Sequence, residues 1–453
     1  MKPLKVGVSG IRGIVGEAFS AEVALKFSQS FGTLMKKGKI IVSRDTRTSG
    51  YMYKALVKAG LLSTGCACID LDVCPTPTTQ IMVKELKAGG GVIVTASHNP
   101  IAYNGLKFIN SKGLFLNSAE RKRLLDIYHR EKFTKVKADE IHPVSYDKSA
   151  VDRHLELVLN FIKPDLIRKR HFKVAYDCCN GAGSVITPKL MEKLRARTVA
   201  LNDEPSGLFP HSPEPVPKNL GQLCKAVKQN KCDIGFAQDP DADRLAIIDE
   251  KGRSVGEEYT LVLAVKFILR KNPGGVIVTN LSTTRAIDDV ARQFGAKVIR
   301  TKVGEINVVE KLIENKGLIG GEGNGGVILP VILPCRDSIA AIMIVLEYMA
   351  KERKKLSEIL ADIPRYEIIK KAIDCSSEEA RMVIREFEEK YSSEKINTLD
   401  GIKIDFKDTW VHIRPSNTES IMRIIVEAKT FTKAQRLINR MIREINEIRR
   451  LAA

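Results

Sequence analysis

Three times along this chain a short apolar run of β type breaks off into a polar loop. "GGGVIVTASHNP" does so near residue 94, "CDIGFAQDPDADR" near 238 and "GLIGGEGNGGVILP" near 320. Between such runs, apolar residues recur at helical spacing. Val23, Phe27, Phe31, Leu34 and Met35 share one face behind Ser20, a natural N-cap. Met52, Ala55, Leu56, Ala59 and Leu62 share the next, closed by Gly65. Strand alternating with helix, block after block, is the α/β signature. The spacing predicts three similar α/β domains with mixed sheets.

The last stretch breaks this rhythm. "NTLDGIKIDFKDTWVHIRPSNTESIMRIIVEAK" reads as antiparallel strands, with Asp400-Gly401 as a turn. Behind it, Ala434, Leu437, Ile438, Met441, Ile442, Ile445 and Ile448 form one helical face. An α+β domain is expected there. A chain of 453 residues exceeds the roughly 250–300 at which single cores stop growing. Four domains are therefore expected, at 1–150, 151–250, 251–365 and 366–453. Their linkers fall near 145–155, 248–256 and 362–368.

The formal charge of +19 favours an anionic partner. Lys and Arg are nevertheless spread along the chain, and aromatics do not interleave with them, so no nucleic-acid partner is expected. No apolar stretch reaches the ~18 residues of a membrane span, and the first residues lack a secretory apolar segment. A cytoplasmic protein with no membrane partner, monomeric or homo-oligomeric, is the expectation. Nine cysteines without a C-x-x-C spacing read as reduced core thiols.

The loops carry the chemistry. In "DPDADR", Asp239, Asp241 and Asp243 alternate within five residues. Such carboxylates repel unless a cation sits among them, and their oxygens suit a hard ion such as Mg²⁺. Arg244 follows and could hold an anion beside the ion. In "TASHNP", Ser97 is a candidate nucleophile. His98, next to it, is expected to face away, as strand neighbours do, and to orient or bind phosphate. Asn104-Gly105 reads as a turn that returns Lys107 toward Ser97. In "GEGNGG", Glu322 and Asn324 offer groups suited to sugar hydroxyls. In "RPSNTES", Arg414, Ser416, Asn417 and Thr418, with Arg423 beyond, suit a phosphate that is held but not transferred. A P-loop and a G-x-S-x-G elbow are both absent from the sequence.

Taken together, these loops make the chain resemble the α-D-phosphohexomutase superfamily of phosphoglucomutases, phosphomannomutases and phosphoglucosamine mutases. The resemblance also covers "SGIRG" at 9–13, "SRDTRTSG" at 43–50, "PTP" at 75–77, "DCCNGAGS" and "FPHSPEPVPKNL". It implies four domains around a central cleft. Ser97 would carry the phosphate that is transferred, and Mg²⁺ would be held by Ser97, Asp239, Asp241 and Asp243. Arg12 and Lys107 would flank the transferring group, Lys107 as acid/base. Glu322 and Asn324 would read the sugar, and the Arg414 loop would hold the idle phosphate. A hexose 1,6-bisphosphate would be the intermediate and activator. "GEGNGG" lacks the serine and histidine of the widespread GE-x-S-x-H loop and is similar to the archaeal-type version. Glu305 stands where some relatives have histidine, and Ser420 where proline is usual. The competing reading is a non-catalytic relative that binds sugar phosphate or scaffolds a partner through the same loops.

Overall fold

The computed structural model describes residues 4–416 and 421–451. Four sheets form in chain order, each from the run of strands its sequence block encodes. In the first, strands Lys39–Arg44, Ala67–Val73 and Gly90–Val94 pair in parallel. Ile40, Ile41 and Val42, with Val92, Ile93 and Val94, are wholly buried, as strands covered on both faces must be. Strand Tyr103–Asn110 then pairs antiparallel with Gly90–Val94. Strand Gly10–Ile14 adds antiparallel to its far side.

The second and third sheets repeat this plan. Strands Lys173–Asp177, Arg197–Leu201 and Ile234–Gln238 are parallel, and Leu245–Ile248 runs back beside the last. Strands Val276–Asn280, Lys297–Thr301 and Ile319–Glu322 are parallel, and Gly326–Leu329 runs back. Numbering the four strands of each unit in chain order, all three sheets contain the order 2-1-3-4. Each of the three polar loops joins strand 3 to the antiparallel strand 4. The expected three similar α/β units with mixed sheets are present.

The fourth sheet is wholly antiparallel, in the order Glu367–Asp374, Ile421–Ala428, Trp410–Pro415, Ile402–Asp405, Lys395–Asn397. Helices Ser377–Lys390 and Phe431–Leu451 accompany it. Ala434, Leu437, Ile438, Met441 and Ile445 are buried in its core, matching the face read from the sequence.

Packing is uneven among the units. Helices Glu257–Lys271 and Ser338–Glu352 are buried along most of their lengths. They join the second and third units in one continuous core that also takes in Leu155 and Val158 of helix Ala150–Phe161. The fourth unit has a separate core. It meets the third unit through polar contacts: Ser282 with His412, Arg285 with Glu427, and the Val303 amide with Asp400. The nine cysteines are free thiols, eight of them buried. Among the described residues, no helix is long and apolar enough to cross a membrane.

Candidate active site

The strand Gly90–Val94 ends at Thr95, and the chain then leaves extended geometry: Ser97 sits at φ +50. The Ser97 amide donates to Thr95 Oγ1 (2.9 Å), and Thr95 Oγ1 donates to Asp45 Oδ2 (2.6 Å). Asp45 in turn accepts from Arg47 Nε (3.1 Å). Arg47 is fully buried and closes around the loop. Its Nη2 donates to the carbonyls of Ser97 (2.6 Å) and Asn99 (2.6 Å), and its Nη1 to those of Pro100 (2.8 Å) and Tyr103 (3.1 Å). The loop is thus fixed through its backbone, which leaves the Ser97 side chain free to face the second unit.

That unit delivers the aspartates. Ser97 Oγ donates to Asp239 Oδ2 across 3.1 Å. Asp239, Asp241 and Asp243 are completely buried, and one oxygen from each lies within 4.8 Å of the others. Lys107 Nζ bonds Asp241 Oδ2 (2.5 Å) and Asp243 Oδ2 (3.0 Å). Thr76 Oγ1 donates to Asp241 Oδ2 (2.7 Å), and its amide to the Asp241 carbonyl (2.9 Å). The Oδ1 atoms of Asp241 and Asp243 accept no hydrogen bond among the described residues. Burial and the two neighbouring carboxylates push Asp239 well above the usual range. Burial would raise Asp243 too, but Arg336, Lys107 and Arg244 outweigh it and hold that carboxyl low. Burial would lower Lys107, but Asp241 and Asp243 outweigh it and keep the ammonium charged. Two orphaned carboxylate oxygens beside a third carboxyl, with no His or Cys among them, are a donor set that fits a hard divalent cation.

The Ser97 hydroxyl and His98 Nδ1 are 3.2 Å apart, so the two side chains meet rather than diverge. The opposite-face expectation assumed extended backbone, and the left-handed turn at Ser97 removes it. Burial, with Arg244 and Arg12 nearby, holds His98 well below its usual range and therefore neutral. Asn104-Gly105 is also not a turn. Both residues lie inside strand Tyr103–Asn110; the chain reverses earlier, where the Tyr103 amide bonds the Pro100 carbonyl (3.0 Å). Gly105 instead allows close approach of strand Gly10–Ile14, since a Cβ there would overlap the Ile11 carbonyl. Lys107 still reaches the aspartates, by strand register rather than by a turn.

A cavity of about 510 Å³ opens above these groups, within the roughly 300–1,000 Å³ of small-molecule sites. Its walls come from all four units. Arg12, Ser97, His98 and Lys107 come from the first, Arg244 from the second, Glu322, Asn324 and Arg336 from the third, and Arg414, Ser416 and Arg423 from the fourth. Arg12 Nη1 donates to Asn99 Oδ1 (2.9 Å) at the rim of the serine loop. Arg244 Nε lies 3.7 Å from Asp239 and 3.8 Å from Asp243. Glu322 Oε1 accepts from Asn280 Nδ2 (2.9 Å) and the Gly304 amide (2.9 Å). Its Oε2 accepts from Arg336 (3.2 Å) and from Asn324 at 3.5 Å. Arg414 and Arg423 are partners on adjacent strands. Burial lowers the Arg414 guanidinium and Arg423 adds to that, while Asp400 opposes them; its buried Nε has no hydrogen-bond partner among the described residues. Asn417 and Thr418 lie outside the described residues.

Arg47, Asp45, Thr76 and Arg336 received no role from the sequence. The first three lie in the motifs "SRDTRTSG" and "PTP", whose mix of charge and punctuation was the available signal. Arg336, in "PCRDS", carried none.

Three α/β units of identical strand order and an antiparallel fourth, converging on one cavity, define a multidomain α/β enzyme architecture. Family models of phosphoglucomutase/phosphomannomutase match in sequence: alpha/beta/alpha domain I at residues 3–135, domain II at 152–252, domain III at 256–366 and the C-terminal domain at 353–444. The chain belongs to the phosphoglucomutase/phosphomannomutase family. It is 40% identical over 449 residues to a phosphoglucomutase/phosphomannomutase of Thermococcus kodakarensis, covering 97% of this chain and 98% of the relative. It is 38% identical over 440 residues to a probable phosphoglucosamine mutase of Pyrococcus horikoshii, covering 96% of each. In fold it is similar to a phosphoglucomutase/phosphomannomutase family protein of Burkholderia thailandensis, with a TM-score of 0.85 and 24% identity over 98% of this chain and 97% of that one.

Proposed function

We propose that this chain is a phosphohexomutase that interconverts hexose 1-phosphate and hexose 6-phosphate through a phosphorylated Ser97 and a hexose 1,6-bisphosphate. The observation that carries the reading is the contact of Ser97 Oγ with Asp239 Oδ2, 3.1 Å, under a cavity whose fourth-unit wall carries Arg414 and Arg423. Phosphoryl transfer asks for placement and charge neutralisation, and little else from the protein. In the forward step the Ser97 Oγ–P bond breaks and a bond forms between that phosphorus and the sugar's free hydroxyl oxygen. The hydroxyl proton ends on Ser97 Oγ, with Lys107 as the acid/base candidate. The bisphosphate turns over in the cavity and returns its other phosphoryl group to Ser97.

Asp239, Asp241 and Asp243, with the Ser97 phosphate, would hold Mg²⁺, which supplies charge neutralisation at the transferring group. Arg12, His98 and Arg244 bind the reacting phosphate. Glu322 and Asn324 read the sugar hydroxyls; the 3.5 Å contact between them is the weakest around Glu322 and the one a hydroxyl replaces. Arg414, Ser416 and Arg423, together with Asn417 and Thr418, grip the idle phosphate. The names of the relatives point to glucose, mannose and glucosamine phosphates as the substrates to try.

Ser97→Ala is expected to fold normally and to lose turnover of every hexose 1-phosphate in a panel of glucose, mannose and glucosamine forms supplied with catalytic bisphosphate. Intact mass of the native chain after incubation with bisphosphate should show one added phosphoryl group, absent from the variant. Normal turnover by Ser97→Ala would sink the reading. Binding of hexose phosphate without turnover by the native chain would favour the non-catalytic relative.

A further inference from the structure

Arg336 ends the strand Leu333–Arg336 and lies buried in the cavity wall. Its guanidinium meets three carboxylates from three separate segments. Nη2 donates to Asp243 Oδ2 (2.6 Å), Nη1 to Glu322 Oε2 (3.2 Å), and Nε lies 2.9 Å from Glu305 Oε2. The planar fork of arginine can serve several acceptors at once, and a lysine cannot. Asp243 Oδ2 is thereby occupied by Arg336 and Lys107, while Oδ1 accepts no hydrogen bond among the described residues and lies 3.8 Å from Arg244 Nε.

The path of this side chain depends on a glycine in the sugar loop. A Cβ on Gly326 would overlap Arg336 Cδ and stand 3.0 Å from its Cγ. The φ of Gly326 is not in the left-handed region, so the reason for glycine there is room rather than backbone freedom. Two places where the chain departs from the wider pattern, Glu305 and the glycine-rich loop, thus pack against one guanidinium.

We propose that Arg336 is a positioning residue that fixes the metal-loop carboxylate Asp243 and the sugar-loop carboxylate Glu322 as one unit, and that Gly326 exists to let its side chain through. Metal affinity and sugar affinity are therefore coupled through Arg336. That Glu322 meets a sugar, and so the KM readout below, rests on the phosphohexomutase reading; the tie between the two loops does not.

The test uses the full chain and two variants. Arg336→Lys keeps a charge but not the fork. Gly326→Ala removes no charge and no hydrogen-bonding group, and displaces the Arg336 stem. Mn²⁺ affinity is measured by calorimetry, kcat and KM with the hexose 1-phosphate panel, and melting temperature alongside. Both variants should weaken Mn²⁺ binding and raise the sugar-phosphate KM, each by about tenfold or more, the usual effect of removing an outer-shell partner of a metal ligand. Unchanged Mn²⁺ affinity and KM in both variants, with only the melting temperature lowered, would reduce Arg336 to a structural residue. Movement of one affinity without the other in both variants would overturn the coupling. Absence of Mn²⁺ binding by the native chain would overturn the proposal at once. If the native chain binds Mn²⁺ but turns over no hexose phosphate, the functional reading falls, and the Mn²⁺ shifts still decide the role of Arg336.

Discussion

Arg47 holds the serine loop by the carbonyl oxygens of Ser97, Asn99, Pro100 and Tyr103, with Asp45 as its counter-charge. A buried ion pair of this kind is costly to break from one side, because the other charge and its acceptors stay buried. Arg47→Met is expected to lower stability by about 3–5 kcal/mol, measured by urea denaturation, and a loss under 1 kcal/mol would contradict the clamp. Asp241→Asn removes a charge from the candidate metal set and weakens the partner of Lys107. Mutase activity should fall by orders of magnitude, with a higher Mg²⁺ concentration needed for half-maximal rate; a titration identical to that of the native chain would contradict the ligand role. At this scale the polar residues of the loops were legible in the sequence, because Ser97 and the three aspartates stand in unusual local company. Arg47, Thr76 and Arg336 were not, because, Asp45 beside Arg47 apart, their partners lie between 14 and 165 positions away.

Among the elements, the 2-1-3-4 strand order explains where the functional loops fall. In this order the connections from strand 1 and strand 3 leave in different directions, and the crevice between them is where open α/β sheets bind ligands. Loops after strand 3 bring Ser97 and the aspartates, and the end of strand 3 in the third unit brings Glu322. Loops after strand 1 bring Asp45 and Arg47 in the first unit and Ser282 in the third. Strand register matters as much. Gly105 pairs with Arg12, and Lys107 with Gly10, so the close approach at Gly105 sets both cationic side chains against the site. Gly105→Ala should push the Gly10–Ile14 strand outward, cost about 1–3 kcal/mol by overpacking, and lower activity along with stability. Retention of both stability and kcat would show that register at this point is not critical. The strands and helices themselves were legible from periodicity. The reading of Asn104-Gly105 as a turn failed because pairing on both sides of the strand overrode local turn chemistry.

Across the whole molecule, all four units line the cavity, and the fourth meets the third through polar groups. His412, one of these, is fully buried. Its Nε2 donates to the Asp400 carbonyl (2.6 Å), which leaves Nδ1 to accept from the Ser282 hydroxyl (2.8 Å). Burial pushes its pKa from 6.5 down to about 4, with the Asp400 carbonyl opposing. The native His412 thus stays neutral where an unfolded one takes up a proton. Its contribution to stability is complete above pH 6.5 and is lost as pH falls through 4. His412→Gln keeps the donor to Asp400 and cannot titrate. Between pH 6.5 and 4 its melting temperature should fall less than that of the native chain; parallel curves would remove His412 from the account.

The sequence by itself determined the alternation of strand and helix, the antiparallel tail and the loops that could carry chemistry, because these follow from short-range periodicity and from residues adjacent in the chain. Only the tertiary structure decided that Ser97 stands against Asp239, that Lys107 is shared between Asp241 and Asp243, and that Arg336 ties the metal loop to the sugar loop. Each of those contacts joins residues between 14 and 142 positions apart. Which charges end up paired in a buried site depends on how whole units pack, and no local pattern encodes that.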